Sequence, residues 1–118
     1  MHELSIAQNV IEWIQRSLPP EDLPRVRVVR LRVGALAGVV PDSLEFSFAA
    51  ATYGTTLERA ALDIEARPFV VRCLACGERT SNELGWTVCD LCGSRDTVVD
   101  SGMELDLVHL DLQDPPPS

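Results

Sequence analysis

Leu4, Ala7, Ile11, Ile14 and Leu18 recur at three- and four-residue intervals and stop at Pro19-Pro20, which predicts an amphipathic helix over residues 4 to 18. Gln8, Glu12 and Gln15 fall on its polar face. Residues 25 to 33, RVRVVRLRV, alternate and are β-branched, with a phase slip at Val28-Val29 of the kind a bulge makes, so a first strand is predicted there. Gly34 to Gly38 reads as a flexible loop. Pro41 suits the first turn of a second helix, whose Leu44, Phe48 and Ala51 face one way and which Gly54 stops. Ala61 to Arg67 alternates again, with Leu62, Ile64 and Ala66 on the covered face and Asp63 and Glu65 opposite. Met103, Leu105 and Leu107 alternate with Glu104 and Asp106 in a last strand. His109 continues the Leu105 and Leu107 phase, which makes it a partly buried packing residue rather than a ligand.

Two strands need partners to form a sheet, and the last strand has too little apolar surface to stand alone, so it is expected to return to the first lobe. The predicted fold class is α+β. A small lobe of two helices and a three-stranded sheet spans residues 1–67 plus 101–113, and residues 68–100 form an inserted lobe between the second and third strands. The two crossings fall near Arg67 and Ser101. Residues 114–118, Asp-Pro-Pro-Pro-Ser, are expected to be a disordered tail.

The insertion carries the chain's only cysteines, Cys73, Cys76, Cys89 and Cys92, as two CxxC pairs with twelve residues between them. A two-residue gap lets both sulfurs of a pair reach one tetrahedral ion from a tight turn, and four thiolates saturate Zn²⁺ with no position left for water. Gly77 and Gly93 follow the second cysteine of each pair, where φ > 0 aims backbone N–H groups at sulfur. The reading is a structural zinc ribbon holding one Zn²⁺. A redox dithiol needs only one pair, and a disulfide framework usually marks a secreted chain.

The net charge of −8 opposes non-specific binding to a phosphate backbone, so nucleic acid is not the expected partner. Within the insertion the cations are Arg72, Arg79 and Arg95, against a larger number of carboxylates. Arg25, Arg27, Arg30 and Arg32 make a better basic stripe, which points to an acidic protein partner. The N-terminus lacks a basic n-region and carries Glu3 and Glu12 where a signal peptide is apolar, and no apolar run could span a bilayer. Cytoplasmic residence is expected, without membrane attachment. No phosphate loop, nucleophile elbow or HExxH occurs, so catalysis is not expected.

His2 lies beside the terminal amine. That amine, the deprotonated amide of residue two and its imidazole can close fused chelate rings around one ion, with Glu3 supplying a fourth atom. Such planar nitrogen sets suit Ni²⁺ or Cu²⁺. From spacing alone, an ordinary frayed terminus is the readier reading of Met-His-Glu.

Taken together, the chain resembles the HypA/HybF family, the nickel metallochaperones of nickel-iron hydrogenase maturation. The resemblance runs through Met1-His2-Glu3-Leu4-Ser5, Val33-Gly34, the Gly38-Val39-Val40-Pro41 loop, Leu44-Glu45-Phe46-Ser47-Phe48, Leu62-Asp63-Ile64-Glu65, both CxxC pairs and Ser101-Gly102-Met103-Glu104-Leu105. It departs at Ala35, where the family often has Glu, and at Asp90, where many knuckles have Pro. The resemblance implies that the first lobe is the nickel-binding domain, with one transferred Ni²⁺ at Met1, His2 and Glu3. It implies one structural zinc at Cys73, Cys76, Cys89 and Cys92, and no turnover. The implied partners are a HypB-type GTPase and the hydrogenase large subunit, with urease maturation proteins for some members. Exposed strand edges in so small a protein allow exchange of the C-terminal strand, so a monomer or weak dimer is expected. Whether Asp42, Glu45 or His109 joins a metal site is left open by the sequence.

Overall fold

The structure, a computed structural model, describes residues 2–114, the His2 side chain excepted. Met1 and residues 115–118 of the predicted tail lie outside the described residues. The elements run α1 (His2–Ser17), a 3-10 turn (Pro20–Arg25), β1 (Val26–Gly34), α2 (Pro41–Thr52), β2 (Ala61–Arg67), β3 (Val70–Cys73), β4 (Arg79–Ser81), β5 (Thr97–Ser101) and β6 (Leu105–Leu112). The strands form two sheets, in the orders β2-β1-β6 and β4-β3-β5. The α+β class, the two helices, the three-stranded sheet and the return of the last strand to the first lobe are as the sequence predicts, and the structure adds that its partner there is β1.

The chain divides into two compact units, one of Met1–Leu31, Val39–Ile64 and Leu107–Ser118, the other of Arg32–Gly38 and Glu65–Asp106. In the first, α1 packs on α2. The fully covered positions of α1 are Ile6, Ala7, Val10 and Ile14, a stripe one step round the helix from the predicted one, while Leu4, Ile11 and Leu18 are half-buried. Pro19-Pro20 ends the helix, since proline lacks the N–H that the next turn requires.

α2 begins with Pro41 at its first position, where the missing N–H is one of the helix's unpaired donors in any case. It ends as Tyr53 N–H donates to the Ala49 carbonyl (3.1 Å) and Gly54 takes φ +75°. Its buried face is Leu44, Ser47, Phe48 and Thr52, and Ala51 is only half-buried. Polarity hid Thr52 from the pattern, yet its hydroxyl donates to the Phe48 carbonyl (2.9 Å) and so can be buried at little cost.

Alternation fails at three places: Met103, predicted to open the last strand, lies before β6 and is exposed, and the other two are within strands. In β2 the phase slips after Ile64, so Glu65 is half-buried and Ala66 exposed. In β6 it slips at Val108 and His109, both exposed, and resumes on Leu110 and Leu112. His109 is therefore not a packing residue: its Nε2 lies 2.6 Å from Asp111 Oδ1 on the surface.

The second unit holds a sheet that the sequence pattern did not predict. β3 pairs antiparallel with β4 (Val71 with Thr80) and with β5 (Val71 with Val99), and the register shifts between Val70 and Val71. Val33, Phe69, Val71, Cys73 and Cys89 are the buried apolar side chains of this unit. Arg72 and Arg79 face each other across the β3–β4 pair, where like charges repel, and Asp100 accepts from both at 3.3 and 3.0 Å.

Candidate metal centre

The two knuckles repeat one backbone design. Cys73 N–H donates to the Glu78 carbonyl and Cys89 N–H to the Ser94 carbonyl, each 2.9 Å. Gly77 and Gly93 N–H return to the carbonyls of Cys73 and Cys89, at 3.0 and 2.9 Å, with φ +80° and +75°. The left-handed glycine turns the next N–H, of Glu78 or Ser94, onto the sulfur of Cys76 or Cys92. Asn82 fixes the loop between the knuckles: its Oδ1 accepts from the N–H groups of Leu84, Gly85 and Trp86, and its Nδ2 donates to the Trp86 carbonyl. The sequence reading missed Asn82, although Asn ahead of a Gly-containing loop is a known turn signal.

All four Sγ atoms lie within 4.8 Å of one another. Cys73 to Cys92 is 3.6 Å and Cys76 to Cys89 is 3.7 Å. Sulfurs about 2.3 Å from a tetrahedral ion stand about 3.8 Å apart, so the donor set fits such an ion and closes its coordination. Cys73 and Cys89 are buried and Cys76 and Cys92 exposed.

Protonation follows the backbone dipoles. The Cys73 thiol is lowered to about 6, chiefly by the Cys76 N–H on its sulfur. Cys89 is lowered by the N–H groups of Cys92 and Leu91. On Cys76 the Glu78 N–H acts in the same sense, but desolvation and the sulfurs of Cys73, Cys89 and Cys92 outweigh it and push the thiol up to about 12. Cys92 is raised too, because Cys73, desolvation and Cys89 outweigh the Ser94 N–H. Four sulfurs this close cannot all ionise unless a cation joins them.

Of the three residues predicted to hold nickel, Glu3 alone has a described side chain; Met1 and the His2 side chain lie outside the described residues. Glu3 lines a hollow with Asp42, Ser43, Phe46 and Ser47 at the starts of α1 and α2. Glu45 is exposed and does not line it.

The basic stripe is spent inside the fold. Arg25 pairs with Asp22 (2.8 Å), Arg30 with Asp63 (3.0 Å) and Arg32 with Glu65 (3.5 Å), while Arg27 donates to the Pro24 carbonyl and to Gln113. Arg72 and Arg79 are held by Asp100, so of the insertion's three cations two carry a carboxylate partner. Among the described residues, no helix is long and apolar enough to cross a membrane.

The fold and the cluster define a small α+β metal-binding protein with an inserted lobe of zinc-ribbon type. A family model described as "Hydrogenase/urease nickel incorporation, metallochaperone, hypA" matches residues 1–112. The hydrogenase maturation factor HypA of Chloroflexus aurantiacus is 43% identical over 112 residues, 94% of this chain and 98% of the relative. That of Roseiflexus sp. is 38% identical over 118 residues, 99% and 96% of the two chains. The chain belongs to the HypA family of metallochaperones. Two solved structures share the fold. The solution structure of the Ni metallochaperone HypA from Helicobacter pylori gives a TM-score of 0.65 at 19% identity, covering 96% of this chain and 98% of that one. A second, "Solution structure of HypA protein", gives 0.68 at 21% identity, covering 95% and 96%.

Proposed function

We propose that this chain carries one Ni²⁺ at Met1, His2 and Glu3 and delivers it for maturation of the nickel-iron hydrogenase large subunit. The observation that carries this reading is the family match over residues 1–112, which includes both the Met-His-Glu start and the four cysteines. Residues 1–67 plus 101–113 serve as the nickel-binding domain and residues 68–100 as the zinc-binding domain, with one structural Zn²⁺ on Cys73, Cys76, Cys89 and Cys92. Chemistry supports this division. A closed tetrathiolate has no open position from which to pass on an ion, whereas an amine, amide and imidazole at a chain end hold one by donors that lose it again on protonation. The working partners are a HypB-type GTPase and the large subunit, in the cytoplasm, with urease maturation proteins as a second outlet.

The test is a nickel titration of untagged, zinc-loaded chain beside His2→Ala, with total metal counted in each. One Ni²⁺ bound by the parent and lost by the variant, with one zinc kept in both, is the expected result. Equal nickel binding by the two, or none in either, would sink the assignment of the terminus.

A further inference from the structure

Phe46 on α2 and Tyr53 at its C-terminal cap lie away from the packed face of the helix. Phe46 is 76% exposed and Tyr53 79%, and the exposed Ala49 and Ala50 lie between them. The spacing i, i+3, i+4, i+7 places all four on one side of the helix. Beside them a groove between α1 and α2 has Leu4, Ile11, Ala50 and Ala51 as its apolar lining and Gln8 and Glu12 as its polar lining. Leu4 and Ile11 carry the apolar pattern of α1 but remain half-exposed, because α1 buries the neighbouring stripe. Ala50 belongs to both features, so the apolar surface is continuous from the groove to the two aromatics. A monomeric surface rarely leaves large apolar side chains clustered in this way without a partner to cover them.

The surrounding charge is mainly acidic. Asp42 and Glu45 on α2 are exposed carboxylates, α2 contains no Lys or Arg, and on α1 Glu12 and Arg16 pair with each other at 3.9 Å. A second copy of this chain would bring the same carboxylates against themselves, and most of its arginines, 25, 30, 32, 67, 72 and 79 among them, are engaged in ion pairs of their own. An anionic membrane surface is opposed in the same way.

We propose that this face of α1 and α2 docks a protein partner presenting an amphipathic segment, with large apolar side chains flanked by Lys or Arg. Phe46 and Tyr53 are the anchors, and the surrounding carboxylates select the partner's charge and steer its approach. The inference does not depend on the nickel assignment, since neither aromatic is a proposed ligand.

The experiment is an amide-resolved NMR titration of the full zinc-loaded chain with a synthetic amphipathic helix of Leu and Lys, and with its Leu–Glu counterpart. Both are repeated on the Phe46→Ser/Tyr53→Ser double variant, and the oligomeric state of each free chain is measured by sedimentation. The expected result is a shift pattern centred on Ala49, Ala50, Leu4 and Ile11 with the Leu–Lys helix and none with the Leu–Glu helix. Binding to the double variant is expected to be at least about tenfold weaker while its dispersed spectrum and zinc content are kept. Shifts centred on the ribbon, equal binding of the two helices, or unchanged affinity in the variant would overturn the proposal. Dimerisation of the parent that the two serines abolish would overturn it too, in favour of a second copy. A parent chain that binds no nickel yet binds the Leu–Lys helix on this face would dismiss the nickel reading and leave the docking face standing.

Discussion

Gly34 and Gly102 meet backbone to backbone: a Cβ on Gly34 would stand 2.1 Å from the Gly102 carbonyl carbon. The approach is tied by Leu36 N–H donating to the Gly102 carbonyl and Gly34 N–H to the Glu104 carbonyl, both 2.8 Å. Gly102 also has φ +112°, and a Cβ there would stand 2.4 Å from Phe69 Cα. Neither obstacle is a flexible side-chain end, so the backbone itself must move. Gly34→Ala is expected to cost about 2–4 kcal/mol and Gly102→Ala at least as much, read from denaturant unfolding. A loss under about 0.5 kcal/mol at Gly34, within the range of surface substitutions, would refute the close approach.

Two phenylalanines on α2 should behave oppositely. Phe48 is 1% exposed and Phe46 76%. Phe48→Ala is expected to cost about 3–5 kcal/mol through lost burial and the cavity left behind. Phe46→Ser should change stability by less than about 0.5 kcal/mol. Thermal and urea melts of the pair provide the comparison, and similar losses at both positions would contradict the packing of α2.

Acid should act on the second unit through Glu104. Burial raises this carboxyl, but its own N–H, the Gly102 N–H and the Arg67 and Arg32 guanidiniums together hold it below the usual carboxylate range. A folded value below the unfolded one means that the contribution is fully present above the unfolded value, about 4.3, and is lost as pH falls through the folded value. Glu104→Gln should therefore melt lower than the parent at pH 7, and the difference should shrink below pH 4. A difference constant across that range would exclude the carboxylate as its source.

Metal removal should be selective. The sheet β4-β3-β5 is small and its buried side chains are few, so it depends on the ion that four sulfurs can hold. Stripping the chain with a strong chelator, or replacing Cys73 by Ser, is expected to collapse the amide dispersion of residues 70–101 while the helical signals of α1 and α2 persist. Chelated protein that keeps dispersed ribbon signals would remove the structural role from the cluster.

The metal cluster was legible in the sequence because its information is local: two CxxC turns, each followed by glycine, form knuckles whatever surrounds them, and four donors in that pattern have one economical solution. The helices and the outer strands were legible for a related reason, since periodicities of 3.6 and 2 are properties of the backbone. The Met-His-Glu start and the glycine-bordered loop likewise carried the family resemblance in short runs. Tertiary structure alone decided what covers what. Thr52 is buried and Phe46 bare because α2 meets α1 on one side only, and hydropathy does not say which. Ala66 and His109 face outward because the burial of their strands slips phase, which alternation along the sequence does not show. The arginines of β1 read as a basic stripe until β2 brought Asp63 and Glu65 to Arg30 and Arg32, from more than thirty residues away. The sequence thus determined which chemistry the chain carries, because donor spacing is covalent. The fold determined which surfaces remain for partners, because burial and charge pairing belong to elements that meet only in space.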